Sequence, residues 1–343
     1  MKRVSAAAPR TSRLPVRRRA AAIGLALGLP VSALFVWLAL RGADAGEVRS
    51  ALAGADLPQL LLAEVAFAAM YAAQAERWRR IAALPASWRS YAGMVVSSVA
   101  CNNVLPARVG DLLRARWLAR AAGVPSGRAL ATVVLDRASD VVVLFAFLLL
   151  TLPEVVGSGW SRQLGIAALV LVVAIAAVLL SARVYARRRA RDRLLARSLL
   201  RRVARDVVDG LAEPLGRRRL AGALLLSLVA WLAFAAAVVL VARSVGVRLQ
   251  AVDALFATAV VNLGVAIPSS PGFVGTYQWL GVASLGAVGV ERSPALAFAI
   301  LLQAAWYVPT TVLGGGLIGW RGLRSMGGRG GAGEVSRAPS RAS

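Results

Sequence analysis

Histidine is absent from this 343-residue chain, and cysteine and lysine occur once each, as Cys101 and Lys2. Without histidine there is no Ser-His-Asp or Cys-His catalysis and no imidazole-ligated metal. A single cysteine excludes an intrachain disulfide and a thiolate cluster. Charge is scarce as well: 17% of residues are charged, against about a quarter in soluble domains. Acids are scarcest, with 16 Asp plus Glu against 41 Lys plus Arg, a formal +25. Catalysis would have to rest on carboxylates, Arg, Tyr, Ser or Lys2, which sets aside most familiar enzyme classes. No catalytic residue, cofactor or metal site is expected.

What is abundant is apolar: 58% of residues, with mean hydropathy +0.67 and a pI near 11.9. A nucleic-acid binder of such basicity would not be so apolar, so nucleic acid is not an expected partner. The combination reads as an all-α integral membrane protein with basic loops. A spanning helix needs about 20 mostly apolar residues. Six runs qualify, at residues 20–40, 57–75, 129–152, 165–182, 220–242 and 294–320. The first follows Arg17-Arg18-Arg19, and Ala43-Asp44-Ala45 resembles a cleavage site. Its length and the spans after it favour a retained signal-anchor over a cleaved signal.

Two apolar stretches, 91–105 and 251–267, are too short to cross comfortably and end in proline breaks. The breaks are Pro106 and Pro268-Ser269-Ser270-Pro271-Gly272, and a further segment follows each. Two half-helices entering and leaving by one face, a re-entrant hairpin, fit that pattern, provided they are buried in protein or line a wet cavity.

Arginine placement supplies orientation. With the N-terminus inside, the cytoplasmic segments are residues 1–19, the stretch around Arg77-Trp78-Arg79-Arg80, residues 183–219 and the tail 321–343. The 183–219 segment holds 13 arginines and four acids, whereas the outside loops hold no more than two arginines each. This positive-inside asymmetry predicts a multi-pass protein of the cell membrane with both termini cytoplasmic. Within 183–219, Leu195, Leu199, Val203 and Val207 recur at i+4 between arginines. That pattern fits an interfacial helix on an anionic leaflet and equally a solvated basic loop. The glycine- and serine-rich tail lacks a packable pattern and reads as disordered.

The order span, hairpin, span occurs twice, at about 57–152 and 220–320. Pro106 precedes Gly110 at the spacing by which Pro271 precedes Gly275, and GVPSGRALA from Gly123 parallels GVERSPALA from Gly289. Three spans separate the hairpins, so they would open to opposite faces. Inverted repeats with broken helices are a transporter architecture.

Charges inside apolar segments are costly and point to function. At the first tip, Asn102, Asn103 and Pro106 are followed by Arg108, Gly110, Asp111 and Arg114. Asp111 and Arg114 can pair at i,i+3. Arg108 is left to meet an anion near a helix N-terminus, with phosphate the natural guest. Arg116 and Arg120 read as snorkelling side chains. A second cluster, Asp136, Arg137 and Asp140, puts two aspartates on one helical face. It fits either a structural ion pair locking this helix to its hairpin or a proton or substrate role. The second tip is neutral: Asn262, Pro268, Ser269, Ser270, Pro271, Gly272 and Gly275, with Gln278 following. Ser270 could cap the next helix. Gln278, Gln303 and Tyr307 either line the cavity or make hydrogen-bonded packing.

The run Asn102 to Asp111 with Arg114, then Asp136-Arg137 with Asp140, then Pro268 to Gly275, resembles the flippase-like transmembrane region of lysylphosphatidylglycerol synthases. The resemblance extends over residues 50–320. It implies movement of lipid between leaflets, with anionic phospholipid or polyprenyl-phosphate head groups as partners. The family often has Glu where Asp111 and Asp136 stand and near Gln278, so charge is kept on a shorter arm twice and lost once. About 23 residues follow Trp320, too few for the aminoacyltransferase domain of bifunctional members. A translocase is therefore the leading expectation. A membrane-embedded transferase using Asp111, Asp136 or Asp140 as base is one alternative. A membrane partner of a synthase, tethered through 183–219, is the other.

Overall fold

The computed structural model describes residues 30–105, 108–156, 199–212, 216–265 and 270–327, and among these every regular element is helical. The helices are α1 (Pro30–Leu40), α2 (Ala45–Ala53), α3 (Leu57–Ala82), α4 (Trp88–Val104), α5 (Val109–Ala122), α6 (Ser126–Val156), α7 (Leu199–Ala212), α8 (Arg217–Ser244), α9 (Ala251–Gly264), α10 (Thr276–Ala287) and α11 (Arg292–Gly327). Their starts follow local chemistry. Asp44, Asp56 and Ser87 precede α2, α3 and α4 and accept from backbone N–H groups three residues on, satisfying donors that a helix start otherwise orphans. Gly123 ends α5 in the left-handed region, at φ 67°, where a side chain would be strained.

The two short stretches form helix–break–helix pairs, α4 with α5 and α9 with α10, as their length suggested. The expected spans at 57–75, 129–152, 220–242 and 294–320 are all helical; the run at 165–182 and the first part of that at 20–40 lie outside the described residues. By length and apolar composition alone, α8 and α11 could cross a membrane, and α2 with α3 would make a third if this pair, bent by 80°, is one span.

Two sequence boundaries lie inside longer helices. The helix holding the span read as 57–75 continues to Ala82, so Arg77 and Trp78, read as part of a cytoplasmic stretch, lie on it; both are fully buried. Arg77 lies four residues beyond Ala73 and seven beyond Met70, on the stripe that α3 buries. Helix α11 runs to Gly327, past residue 321 where the tail was read to begin, since nothing between Trp320 and Ser325 stops a helix. In the basic segment, Leu211 of α7 packs with Ala131 of α6, beside Val207, Val208 and Leu135. At Val207, Val208 and Leu211 the apolar side of α7 thus meets α6. Residues 1–19, 183–198 and 328–343 lie outside the described residues.

The packing returns onto itself when α2–α6 are exchanged in order for α7–α11. Helices α3 and α8 lie against each other, start to end: the Asp56 N–H donates to the Ser244 carbonyl at 2.9 Å. Helix α4 packs on α11 as α9 packs on α6, and α2 on α11 as α7 on α6. Each half also repeats the contacts α3 with α4, α4 with α5 and α5 with α6. The main core runs through both halves, from Phe67 and Met70 through Phe234 and Val238 to Phe298 and Leu302. A belt of exposed leucine and valine, including Leu61, Leu62, Val65, Val308, Val312 and Leu313, surrounds it.

Candidate functional site

The first hairpin is tied to its neighbours by charge. Arg77, on α3, donates from Nε to Asp136 Oδ1 at 2.8 Å and from its terminal nitrogens to Asp140, both on α6. Arg114, on α5, reaches Asp136 Oδ2 at 2.9 Å and Asp111 at 3.2 Å. Arg137 donates to Asp111 at 2.8 Å and lies 3.4 Å from Asp140. Two side chains of α8 complete the lattice. Ser227 Oγ accepts from Arg77 at 2.8 Å and donates to the Ser139 carbonyl, and Trp231 Nε1 donates to Asp140 at 2.9 Å. Arg114 also stacks over Trp78, its guanidinium carbon 4.9 Å from the ring centroid. Three arginines and three aspartates cancel, as buried charge requires.

The paired readings made from sequence are therefore realised: Asp111 with Arg114 and Arg137 with Asp140, within a lattice that locks α6 to the hairpin. Arg77, Ser227 and Trp231 were missed. The signal for Arg77 was its place on the apolar stripe of α3; Ser227 and Trp231 stand in an apolar run with nothing to single them out.

Arg108 is the charge left over. It has no carboxylate within ion-pair distance among the described residues; its guanidinium donates to the Val265 carbonyl at 3.1 Å and lies 5.6 Å from the Phe273 ring centroid. Arg108 and Phe273 occupy matching places in the two breaks. Both have positive φ, 51° and 59°, a conformation uncommon outside glycine. The two tips thus meet through their matching residues. Two positions after each stands a glycine at a close approach. A Cβ on Gly110 would lie 1.9 Å from the Ser98 carbonyl oxygen, and one on Gly275 would lie 2.4 Å from that of Ser32.

The neutral tip is fastened by amides. Gln278 Oε1 accepts from the Gly275 N–H at 2.6 Å, Gln278 donates to Gln303, and Gln303 donates to the Gly272 carbonyl at 2.6 Å. Gln278, Gln303 and Tyr307, whose hydroxyl donates to the Asn103 carbonyl at 3.2 Å, are packing groups. Ser270 does not cap the following helix with its side chain. Its N–H donates to Ser32 Oγ of α1 at 2.8 Å, because the 3-10 turn Pro271–Phe273 intervenes before α10. Pro271 opens that turn; Pro106, Pro268 and Ser269 lie outside the described residues.

A cavity of about 270 Å³ lies where the halves meet. Asn102, Asn103, Arg108, Arg137, Asp140 and Asn262 form its polar wall, and Tyr71, Trp231, Phe273, Tyr277 and Trp306 contribute its aromatic one. Asn102 accepts from the Gly110 N–H at 2.7 Å, while Asn103 donates to Thr311 of α11 at 2.8 Å. Tyr277 Oη and Trp306 Nε1 are buried beside each other and meet no further hydrogen-bond partner among the described residues, which leaves the Tyr277 hydroxyl hydrogen for an acceptor on a guest. Beside this cavity runs a groove of about 250 Å³, lined by Phe67, Trp88, Val96, Pro309 and Leu313 among others. Tyr71 and Trp306 line both spaces. Of the residues expected at a site, Asn102, Asn103, Arg108, Arg137, Asp140 and Asn262 are brought to the cavity. Gly110, Asp111, Arg114, Asp136, Ser270, Pro271, Gly272, Gly275 and Gln278 shape or hold the hairpins behind it.

The profile of one protein family, described as Lysylphosphatidylglycerol synthase TM region, matches residues 22–314. No curated protein matches the chain.

Proposed function

The chain belongs to the lysylphosphatidylglycerol synthase TM region family, a membrane family related to lipid handling, and on that premise we propose that it is a lipid translocase of the cell membrane. One observation carries the reading: a polar cavity with a surplus arginine shares Tyr71 and Trp306 with an apolar groove. A head group and a chain, covalently joined, need such a pair of spaces. Arg108 and the Tyr277 hydroxyl suit the oxygens of an anionic phospholipid or a polyprenyl-phosphate-linked lipid. The exposed rim of the groove, Trp88 and Leu313, faces the apolar belt from which a lipid would enter.

In this reading the chain has six spans, two re-entrant hairpins and an inverted repeat, with both termini cytoplasmic. The packing exchange between α2–α6 and α7–α11 supports the repeat, and the meeting of Arg108 with Phe273 supports hairpins that enter from opposite faces. Contacts of Ser32 and Phe35 of α1 with Ser270 and Trp279 support a retained first span. Rocking of the halves about the α3–α8 contact would expose the cavity to one leaflet and then the other. A carrier is preferred to a transferase because Asp111, Asp136 and Asp140, the bases a transferase would use, are all held in salt bridges.

The test is movement of a fluorescent anionic lipid between leaflets of vesicles containing the purified protein. The expected result is transfer that protein-free vesicles lack and that Arg108→Ala abolishes while the protein still folds. Absence of transfer with anionic and polyprenyl-phosphate lipids alike would overturn the proposal.

A further inference from the structure

Glu64 lies outside the charge lattice. It stands on α3 between Leu61, Leu62 and Val65, all exposed to the lipid side. Seven residues separate it from the start of the helix, roughly 10 Å of rise, so it lies within the apolar part of the span. Its half-buried side chain lines the groove and makes no hydrogen bond or ion pair among the described residues. An intramembrane carboxylate without a partner is costly and points to function.

The groups around it are few. Helix α3 adds Tyr71, α4 adds Trp88, Ala92 and Val96, and α11 adds Trp306, Thr310 and apolar neighbours; no second charged side chain lines the groove. Across Tyr71, which lines both spaces, Arg108, Arg137 and Asp140 line the adjoining cavity. Of these, Arg137 and Asp140 belong to the self-cancelling lattice. The two spaces together therefore hold one surplus positive charge, Arg108, and one surplus negative charge, Glu64.

We propose that Glu64 binds one proton for each anionic lipid carried, coupling lipid movement to the proton gradient. This rests on the translocase reading of the same site. Two effects act in one direction. A hydrocarbon chain in the groove strips water from the carboxylate and disfavours its charged form. An anionic head group on Arg108 leaves Glu64 as the uncompensated charge of the two joined spaces, and protonation restores neutrality. Linkage is reciprocal, so protonation of Glu64 also strengthens lipid binding. The proton comes from water on the side where lipid enters and leaves to water on the side where lipid departs. The loaded site then crosses without net surplus charge.

The probe is NBD-labelled phosphatidylglycerol, used in two arms. In detergent micelles, quenching of tryptophan fluorescence reads its affinity for wild type and Glu64→Gln between about pH 5 and about pH 8. Wild-type affinity should strengthen as pH falls, by up to about tenfold per pH unit where Glu64 is ionised in the empty protein. Glu64→Gln should show no such dependence, and Glu64→Asp should regain it. In phosphatidylcholine vesicles, an imposed pH gradient should speed wild-type transfer of the same probe severalfold and leave Glu64→Gln indifferent. Equal pH dependence of binding in wild type and Glu64→Gln overturns the proposal. Transfer by wild type that ignores the gradient does so too, leaving the translocase reading intact. Absence of transfer of this probe at every pH overturns the proposal, whatever the binding arm shows, and overturns the translocase reading as well if a polyprenyl-phosphate lipid is not moved either.

Discussion

The junction between the second arm of a hairpin and the following long helix occurs twice, and the two copies use different chemistry. Between α5 and α6 it is ionic, with Asp111 on Arg137 and Arg114 on Asp136. Between α10 and α11 it is amide, with Gln278 on Gln303 and Gln303 on the Gly272 carbonyl. The packing plan is the same in both places, so the plan does not depend on the glue. What differs is the cost of opening. Separating buried opposite charges leaves each uncompensated, whereas parting two amides loses neutral hydrogen bonds. The charged junction is therefore the costlier to open, and in the proposed rocking it would serve as the frame.

Asp136→Ala tests that contrast most severely. It leaves the buried lattice with one surplus positive charge, Arg77 keeping only Asp140 and Arg114 only Asp111, and should cost about 3–5 kcal/mol, read as a large fall in the thermal unfolding temperature in detergent. A small fall would mean the lattice is not the frame. Gly110→Ala comes next. The added methyl would meet the Ser98 carbonyl at 1.9 Å, so α4 and α5 must part, at about 1–3 kcal/mol. Gln303→Leu breaks the amide junction but strands only neutral groups, Gln278 and the Gly272 carbonyl, and about 1–3 kcal/mol is expected. If its loss equals that of Asp136→Ala, the two junctions are equivalent and the contrast fails. Ser227→Ala removes one acceptor from Arg77, which keeps both aspartates, so about 1 kcal/mol should be lost. Arg79→Ala closes the series. Its partner Glu76 is also held by Arg80 at 2.7 Å and the pair is solvent-exposed, so the unfolding temperature should not change measurably.

The proline breaks and the short helices flanking them were legible because no apolar run of that length can cross a bilayer. Asp136, Arg137 and Asp140 were legible because three charges inside an apolar run have few bland explanations. Arg77 was not, because beside Arg79 and Arg80 it looked like one more arginine at a membrane edge. Its burial depends on aspartates some sixty positions later, which periodicity on one helix does not reveal. Ser270 invited a capping role by its position, but the turn after it took the place of the helix start, and its N–H went to α1 instead.

Composition and local pattern determined the class of this protein: all-helical, membrane-embedded, without histidine or thiol chemistry, and with two broken-helix pairs. These follow from rules that act over a few turns of chain, namely bilayer thickness, helix capping and the cost of charge in an apolar run. Tertiary structure decided which arginines of the site are partnered and that Arg108, among the described residues there, is not, that the two tips meet at Arg108 and Phe273, and that cavity and groove share Tyr71 and Trp306. Those outcomes are set by side chains far apart in sequence that must cancel charge or fill space together, and only the folded chain brings them within reach.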